Sequence, residues 1–355
     1  MDARAPFVIA GHEVKAGTRQ TVEIPVAKLY THTPLHIPVE VVHGRRSGPV
    51  LMVCGAIHGD EINGVEIVRR VLTNSALRHL RGTLVAVPIV NIFGFVQRTR
   101  YLPDRRDLNR CFPGSETGSL GGRIAYLLRT QIMENVSHII DLHTGAIHRF
   151  NLPQIRAELK NPETIRMAEA FGAPIIINAS LREGSLRAYA DSQDIPVATF
   201  EGGEALRFDD VVISSGVKGV IRVMRELEMI PAKKGPKAPR KRSETAANSQ
   251  WVRTDTDGIM RPVASLGQKV RKGQRLAMVA DPFGESETAV TSPCSGIVIC
   301  VNNLPLVNEG EAIYHIARFD ELSEAEKAMD YFRSSYEGDV GDDVVPVHPW
   351  DDRQK

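Results

Sequence analysis

Residues 54–64 constrain the fold more than any other part of the sequence. The stretch reads Cys-Gly-Ala-Ile-His-Gly-Asp-Glu-Ile-Asn-Gly and is rich in glycine. Residues 50–53 before it are apolar, as in a buried strand, and Val65, Val68 and Leu72 after it recur at helical spacing. The stretch is therefore predicted to be the turn between a buried strand and a helix, where ligands bind in open α/β sheets.

This turn carries His58 and Glu61, whose spacing lets an imidazole and a carboxylate face one point. His143 follows a second strand-like run, residues 137–142, and offers a further imidazole. A catalytic zinc site has three such protein ligands and an open position for water. The sequence predicts one Zn²⁺ per chain, bound by these three side chains. Asp141, on the same strand face as His143, is expected to accept the free ring N–H of that ligand.

Four segments occur in an order that is typical of one known family. They are His58-x-x-Glu61, residues 107–114 (Asp-Leu-Asn-Arg-Cys-Phe-Pro-Gly), Asp141-Leu-His143 and Glu201-Gly-Gly. Over roughly residues 35–230 the sequence resembles the succinylglutamate desuccinylase/aspartoacylase family, a branch of the zinc carboxypeptidase superfamily. The resemblance implies an α/β fold with a carboxypeptidase-like mixed sheet flanked by helices. It also implies zinc-dependent removal of an acyl group from the nitrogen of an amino acid.

Glu201 is the predicted general base, which takes a proton from water and returns it to the leaving amine. It directly follows the strand-like run 195–200 and precedes a glycine turn that leaves room for substrate. The resemblance assigns the same role to the glutamate of this turn. Glu204 is the nearest rival.

The resemblance also assigns roles to three residues of the irregular segment 91–122. Arg100 matches the arginine that stabilises the oxyanion, although a neighbouring arginine of the same loop remains an alternative. Asn109 and Arg110 match the pair that binds the substrate's carboxylate, for which the planar guanidinium offers two parallel hydrogen bonds. Asp107 is expected to brace the loop.

The alternation of predicted strands and helices indicates an α/β core with a parallel or mixed sheet. Four parts are predicted in order. They are a catalytic α/β domain over residues 1–231, with N-terminal strands in residues 1–45, a basic linker over residues 232–249, a small β domain over residues 250–318, and a tail over residues 319–355.

The small β domain contains an internal repeat. Val270-x-x-Gly273 recurs as Val307-x-x-Gly310, and glycine turns separate short strands, which indicates a β sandwich or barrel. The segment resembles lipoyl and biotinyl carrier domains. Such carriers need a lysine in the central hairpin, and residues 281–293 contain none. We therefore expect a structural domain without a covalent cofactor, acting as a wall or lid of the active site or as a subunit contact.

Composition limits location and partners. The net charge of +1 gives no overall attraction to nucleic acid or acidic membranes. The basic linker lacks interleaved aromatic residues, so a solvated connector is favoured over a nucleic-acid-binding arm. No apolar run is long enough for a membrane span, the N-terminus lacks a signal-peptide core, and four cysteines form no C-x-x-C pair. The sequence predicts a cytoplasmic protein.

Four hypotheses about function remain. The first is a zinc amidohydrolase acting on a small N-acyl amino acid, and the second is a zinc carboxypeptidase that uses the same catalytic residues on peptides. The third is a carrier or binding module built on residues 250–318, against which the missing lysine argues. The fourth is a zinc-binding protein without turnover, against which Glu201 and Arg110 argue. Formation of a homo-oligomer stays open.

Overall fold

The computed structural model describes residues 4–232 and 243–337. The strands are β1 (Phe7–Ile9), β2 (His12–Val14), β3 (Thr18–Lys28), β4 (Pro34–His43), β5 (Arg46–Gly55), β6 (Arg81–Val87), β7 (His138–Gly145), β8 (Arg149–Ala157), β9 (Ile175–Asn178), β10 (Val197–Glu204), β11 (Glu244–Ala246), β12 (Asn248–Arg253), β13 (Gly258–Pro262), β14 (Lys269–Val270), β15 (Arg275–Ala280), β16 (Glu287–Thr291), β17 (Gly296–Asn302), β18 (Leu306–Val307) and β19 (Ala312–Arg318). The α-helices are α1 (Asn63–Leu72), α2 (Ile92–Gln97), α3 (Leu120–Gln131), α4 (Pro162–Phe171), α5 (Leu186–Ser192), α6 (Asp210–Glu226) and α7 (Leu322–Glu337).

One large mixed sheet runs through the molecule, in the order β3–β4–β6–β5–β7–β10–β8–β17–β19–β12. Strands β6, β5, β7 and β10 are mutually parallel, and the flanking pairings in this order are antiparallel. The parallel strands are buried on both faces, as parallel strands between helix layers are, which explains their continuous apolar runs. The predicted mixed α/β sheet is confirmed.

Helices cover both faces of this sheet. Helices α1, α4 and α6 pack on one face around Ile67, Phe171 and Val220. Helices α3 and α5 and part of α2 pack on the other face around Leu128 and Leu186. The apolar periodicity of each helix is therefore satisfied by burial against the sheet.

The C-terminal strands form a β sandwich. Its first layer is β12, β19, β17 and β14, which belong to the large sheet, and its second is the four-stranded sheet β16–β15–β13–β18. Buried residues such as Val270, Val298 and Tyr314 fill the space between them. The predicted C-terminal β domain is confirmed. However, β17 pairs with β8, so the sheet continues across the predicted domain boundary.

One prediction about the chain order needs correction. The linker was predicted to extend to residue 249, but residues 244–246 pair with β9 and β12 begins at Asn248. Polar side chains of these short edge strands hid their main-chain pairing. The basic part of the linker, residues 233–242, lies outside the described residues, as do residues 338–355 of the predicted tail. The described part of that tail contains α7. No helix of the described segments is both long and apolar enough to cross a membrane.

Candidate active site

The turn between β5 and α1 holds the first two predicted metal ligands. His58 and Glu61 are both buried there, 4% and 1% exposed. The turn packs tightly on the backbone of α2. A Cβ on Gly59 would lie 2.0 Å from the carbonyl carbon of Gly94, so only glycine permits this approach. The glycines of the sequence stretch thus fix the direction in which the two side chains point.

The three predicted ligands converge on one point. Glu61 Oε1 lies 2.7 Å from His58 Nδ1, and Glu61 Oε2 lies 2.8 Å from His143 Nδ1. One donor atom from each side chain lies within 4.8 Å of the other two, and no other cluster of this kind occurs in residues 4–232 and 243–337. Thr144 also donates its backbone N–H to Glu61 Oε2, at 3.1 Å.

Each histidine is held by a carboxylate on its other ring nitrogen. His143 Nε2 lies 2.8 Å from Asp141 Oδ2, which is the predicted contact, and His58 Nε2 lies 3.1 Å from Asp107 Oδ1. Such carboxylate partners orient metal-binding histidines and leave Nδ1 free for the metal. Asp107 therefore does more than brace its loop, since it also fixes the first ligand. This donor set fits a divalent metal ion such as zinc.

The electrostatics of the cluster favour a charged Glu61. Burial acts to raise the pKa of this carboxyl, but the nearby His58 and His143 together lower it by a larger amount. The pKa of Glu61 therefore lies far below the usual range. Burial acts to lower the pKa of His143, but Asp141 and Glu61 outweigh it and raise that pKa well above 6.5. A divalent cation binds an anionic carboxylate and neutral imidazoles, so a metal ion at this cluster would displace the proton that Asp141 and Glu61 favour on His143.

Glu201 lies beside His143 in the register of the parallel strands β10 and β7. It was expected just after a strand ending at Phe200, but β10 continues to Glu204 with a bulge between the two glutamates. The bulge uses Gly203 at φ +76°, a conformation that favours glycine. Glu201 Oε2 accepts a 2.7 Å hydrogen bond from Asn151 Nδ2.

The rival Glu204 has a different environment. It is 5% exposed, and its two oxygens accept hydrogen bonds from His148 N and Asn303 Nδ2 at 3.0 and 2.9 Å. The cavity beside the metal ligands is lined by Glu201 and not by Glu204. These contacts indicate a structural role for Glu204, in which it connects the loops that contain His148 and Asn303.

Arg100 reaches the metal-ligand cluster. Its Nη1 donates to Glu61 Oε1 at 3.1 Å and its Nη2 donates to Asp107 Oδ2 at 3.0 Å. Burial acts to lower the pKa of Arg100, but Glu61 and Asp107 raise it more. A permanent cation therefore lies at the cluster, whereas Arg105 and Arg106 are exposed.

Asn109 and Arg110 line the same cavity, but their side chains are engaged differently from what was expected. Asn109 Oδ1 accepts a 2.8 Å hydrogen bond from the backbone N–H of Leu186, at the start of α5. Arg110 is exposed, and its Nη1 donates to the backbone oxygen of Asn109. A buried charge needs an anionic partner, whereas an exposed arginine is solvated by water. Arg110 therefore does not require such a partner.

Arg187 does require an anionic partner, and the sequence analysis did not single it out. Its Nη2 donates to Ser180 O at 2.9 Å, while its Nη1 is buried and has no partner among the described residues. Burial and the nearby Arg156 lower the pKa of Arg187. It lies in the first turn of α5 and lines the cavity. The sequence offered only an arginine after a helix cap, which is too common to single out.

These residues surround one cavity of about 560 Å³. Its lining includes the candidate metal ligands His58, Glu61 and His143, and a polar group from the catalytic domain, namely Asn109, Arg110, Arg182 and Arg187. It also includes residues of the C-terminal strands, namely Ser249, Trp251, Cys300 and His315. The β domain is thus part of the cavity wall.

A mixed α/β fold with a buried His–Glu–His cluster that could hold a metal ion, opening into a cavity, is the arrangement of a hydrolytic enzyme. Residues 47–227 match the family described as "Succinylglutamate desuccinylase/Aspartoacylase catalytic domain". The chain belongs to this family, which confirms the resemblance seen in the motifs and its assignment as a hydrolase.

One relative is similar in sequence, and two solved structures share the fold. The chain is 26% identical over 304 residues to the N-alpha-acetyl-L-2,4-diaminobutyric acid deacetylase of Halomonas elongata, covering 80% of this chain and 86% of that one. A succinylglutamate desuccinylase/aspartoacylase from Rhodobacter sphaeroides superposes with a TM-score of 0.76 at 22% identity, over 85% of this chain and 96% of the other. The product-bound ectoine utilization protein EutE (DoeB) from Ruegeria pomeroyi gives 0.75 at 22% identity, over 85% and 95%.

Proposed function

We propose that the protein is a zinc-dependent deacylase that hydrolyses the amide bond of small N-acyl amino acids. The observation that carries this proposal is the convergence of His58, Glu61 and His143 beside Glu201 in a single cavity. The name of the Halomonas relative, a deacetylase of an N-acetylated amino acid, supports the substrate class. Four free cysteines, three of them buried, support the expected cytoplasmic location.

His58, Glu61 and His143 would hold one zinc ion, which when bound supplies an activated water and polarises the substrate carbonyl. Glu201 accepts the proton of the attacking water and then delivers it to the leaving nitrogen. Asn151 donates to Glu201 Oε2 and Arg156 Nε lies 3.3 Å from Glu201 Oε1, so both contacts hold the carboxylate in position for this transfer. Arg100 places a cation where negative charge develops on the carbonyl oxygen.

Recognition of the substrate's α-carboxylate is proposed for Arg187, assisted by Arg110. Arg187 has a buried, unpartnered Nη1 on the cavity wall, and a carboxylate there would supply the missing partner. Arg110 is exposed at the rim and is suited to the first encounter with an anionic substrate. Asn109 holds the start of α5, and thereby Arg187, in position.

A hydrolysis screen of the zinc-loaded protein tests the proposal, with N-acetyl amino acids on one side and dipeptides of matched length on the other. We expect release of amine from N-acetyl amino acids and abolition of this release in Glu201→Gln. Exclusive cleavage of peptides would instead establish a carboxypeptidase. Hydrolysis of methyl esters as fast as the free acids would contradict the carboxylate role of Arg187 and Arg110.

A further inference from the structure

The cavity extends past the catalytic residues onto the C-terminal strands. In the register of the antiparallel sheet, Asn151 on β8 lies opposite Cys300 on β17, and Cys300 lies opposite His315 on β19. His315 in turn lies opposite Trp251 on β12. Directly opposed residues project to the same face of a sheet. Asn151, Cys300, His315 and Trp251 therefore form one transverse row, which begins at the residue that holds Glu201.

The transverse row ends in a flat, uncharged surface. The rings of Trp251 and His315 stack with centroids 4.2 Å apart and planes 8° apart. Burial and the nearby Arg156 lower the pKa of His315 to about 3, so its ring is neutral at ordinary pH. His315 is 3% exposed, and its Nδ1 has no hydrogen-bond partner within the described part of the chain. Buried polar atoms normally have partners, so this nitrogen indicates a place for a ligand group.

The side chain of Arg149, which has no carboxylate partner among the described residues, lies over this surface. The guanidinium carbon of Arg149 is 5.3 Å from the centroid of the Trp251 ring. In residues 4–232 and 243–337, the Arg149 side chain forms no ion pair and no hydrogen bond. The residues that line the cavity include six arginines and three carboxylates, Glu61, Asp141 and Glu201, and Glu201 Oε1 lies 3.3 Å from Arg156 Nε. The cavity lining therefore has an excess of positive charge.

We propose that Arg149, Trp251 and His315 form a second substrate subsite, which binds an anionic group at the far end of the substrate. The inference rests on the proposed function and extends it. The ring pair contacts the methylene chain that carries the anion, and Arg149 binds the anion itself as a carboxylate. The Arg149 guanidinium lies over Trp251, which is three strand spacings, about 14 Å, from Asn151, so an α-carboxylate next to the reacting amide is too close to that amide to reach the guanidinium.

A carboxylate at this distance has two sources, the side chain of the amino acid or the acyl group. Two matched pairs of substrates separate them. N-acetyl-L-glutamate against N-acetyl-L-glutamine tests the side chain, and N-succinyl-L-alanine against its ω-amide tests the acyl group. We expect a preference in kcat/KM of about ten- to hundredfold for the charged member of at least one pair, as is usual for hydrogen bonds to charged groups.

Arg149→Gln should reduce this preference to less than about threefold, because the shorter, neutral amide keeps a polar group but loses the charge. Arg78→Gln, which removes an exposed arginine outside the cavity, should leave the preference unchanged. Equal turnover of both members of both pairs by the parent enzyme overturns the inference. A preference that survives Arg149→Gln overturns it as well.

A binding measurement keeps this inference separate from the proposed function. The sequence has two tryptophans, so Trp350→Phe leaves Trp251 as the sole tryptophan reporter. Titration of the zinc-loaded Trp350→Phe protein with glutarate should change the tryptophan fluorescence, and the same titration of Trp350→Phe/Arg149→Gln should require at least about tenfold more glutarate. If no N-acyl amino acid is hydrolysed but the fluorescence responds in this way, the deacylase proposal fails and the subsite stands. Identical glutarate affinities in the two proteins overturn the subsite.

Discussion

At the residue scale, carboxylates hold the histidines of the site and Arg100 in place through hydrogen bonds. Asp141 and Asp107 each hold one histidine, and Glu61 faces both histidines from the other side. A side chain fixed at both ring nitrogens has little freedom to rotate. The three candidate ligands are therefore preorganised before a metal ion binds, which reduces the entropy lost on binding.

The first prediction concerns metal binding. His58→Ala removes one of three ligands, so zinc measured by elemental analysis should fall from about one ion per chain to a small fraction of that. His148→Ala, which removes a histidine that is half exposed, is the matched control and should keep full zinc content. Equal zinc in the parent and in His58→Ala would exclude His58 as a ligand.

The second prediction distinguishes the base from a structural glutamate. Glu201→Gln should lower kcat by ~10² to 10⁴ with zinc content and thermal stability retained, because only proton transfer is lost. Glu204→Gln should affect stability rather than the chemical step, since Glu204 bonds to His148 and Asn303. Steady-state kinetics and thermal unfolding of both variants provide the measurement. If Glu204→Gln is inactive and Glu201→Gln retains activity, the assignment is reversed.

The third prediction concerns pH and His315. Its folded pKa of about 3 is below the unfolded value of about 6.5, so between these pH values the unfolded chain binds a proton that the folded chain does not. His315 therefore lowers stability as pH falls below 6.5, by about 2 kcal/mol at pH 5.

The variant His315→Phe keeps a ring for stacking on Trp251 but cannot titrate. Its loss of unfolding free energy between pH 7 and pH 5, measured with urea, should be smaller than that of the parent by this amount. The same loss in both proteins would mean that His315 is not buried in its neutral form.

At the scale of elements, the sequence was most informative where periodicity was clean. The apolar spacing of residues 162–172 and 211–228 indicates a helix in each segment, and the structure has α4 and α6 there. Strand β8 was missed because buried polar side chains, including Asn151 and Gln154, interrupt its apolar pattern. Those polar residues face the cavity or neighbouring strands. The apolar sequence pattern therefore does not reveal the strand there.

The fourth prediction concerns the packing of α6 on α4. A Cβ on Gly219 would lie 2.2 Å from Cε1 of Phe171, whose ring stacks on Phe200 next to Glu201. Gly219→Ala should therefore lower the free energy of unfolding by about 1–3 kcal/mol. Gly122→Ala, in α3, meets no atom closer than 3.4 Å and should be neutral or stabilising by up to about 1 kcal/mol. Chemical denaturation measures both, and equal effects would contradict the close contact.

At the scale of the whole molecule, the sequence predicted two domains joined by a linker, and the structure joins them by a sheet. Main-chain pairing of β17 with β8 and of β11 with β9 connects the two parts. Residues close in sequence, such as His58 and Glu61, could be grouped from their spacing. Trp251, His315 and Arg149 could not, because their proximity depends on strand register across this junction.

The fifth prediction follows from that junction. A chain that ends at residue 231 leaves β8 and β9 with unpaired edges, so it should aggregate rather than form a stable monomer. Co-expression with residues 232–355 should restore a soluble complex, because the missing strands are then supplied as a separate chain. Size-exclusion chromatography of both preparations is the measurement. A monomeric, folded fragment 1–231 would show that the C-terminal strands are dispensable for the fold.

The main-chain pairing of β8 with β17 also limits the routes by which substrate enters the cavity and products leave it. Swinging the β sandwich away from the cavity would break consecutive main-chain hydrogen bonds, so this side acts as a fixed wall rather than as a lid. Access then depends on the opposite rim, where the loops around residues 104–110 and 179–185 include many exposed side chains. The movements that admit substrate and release acid and amine are therefore expected in these two loops.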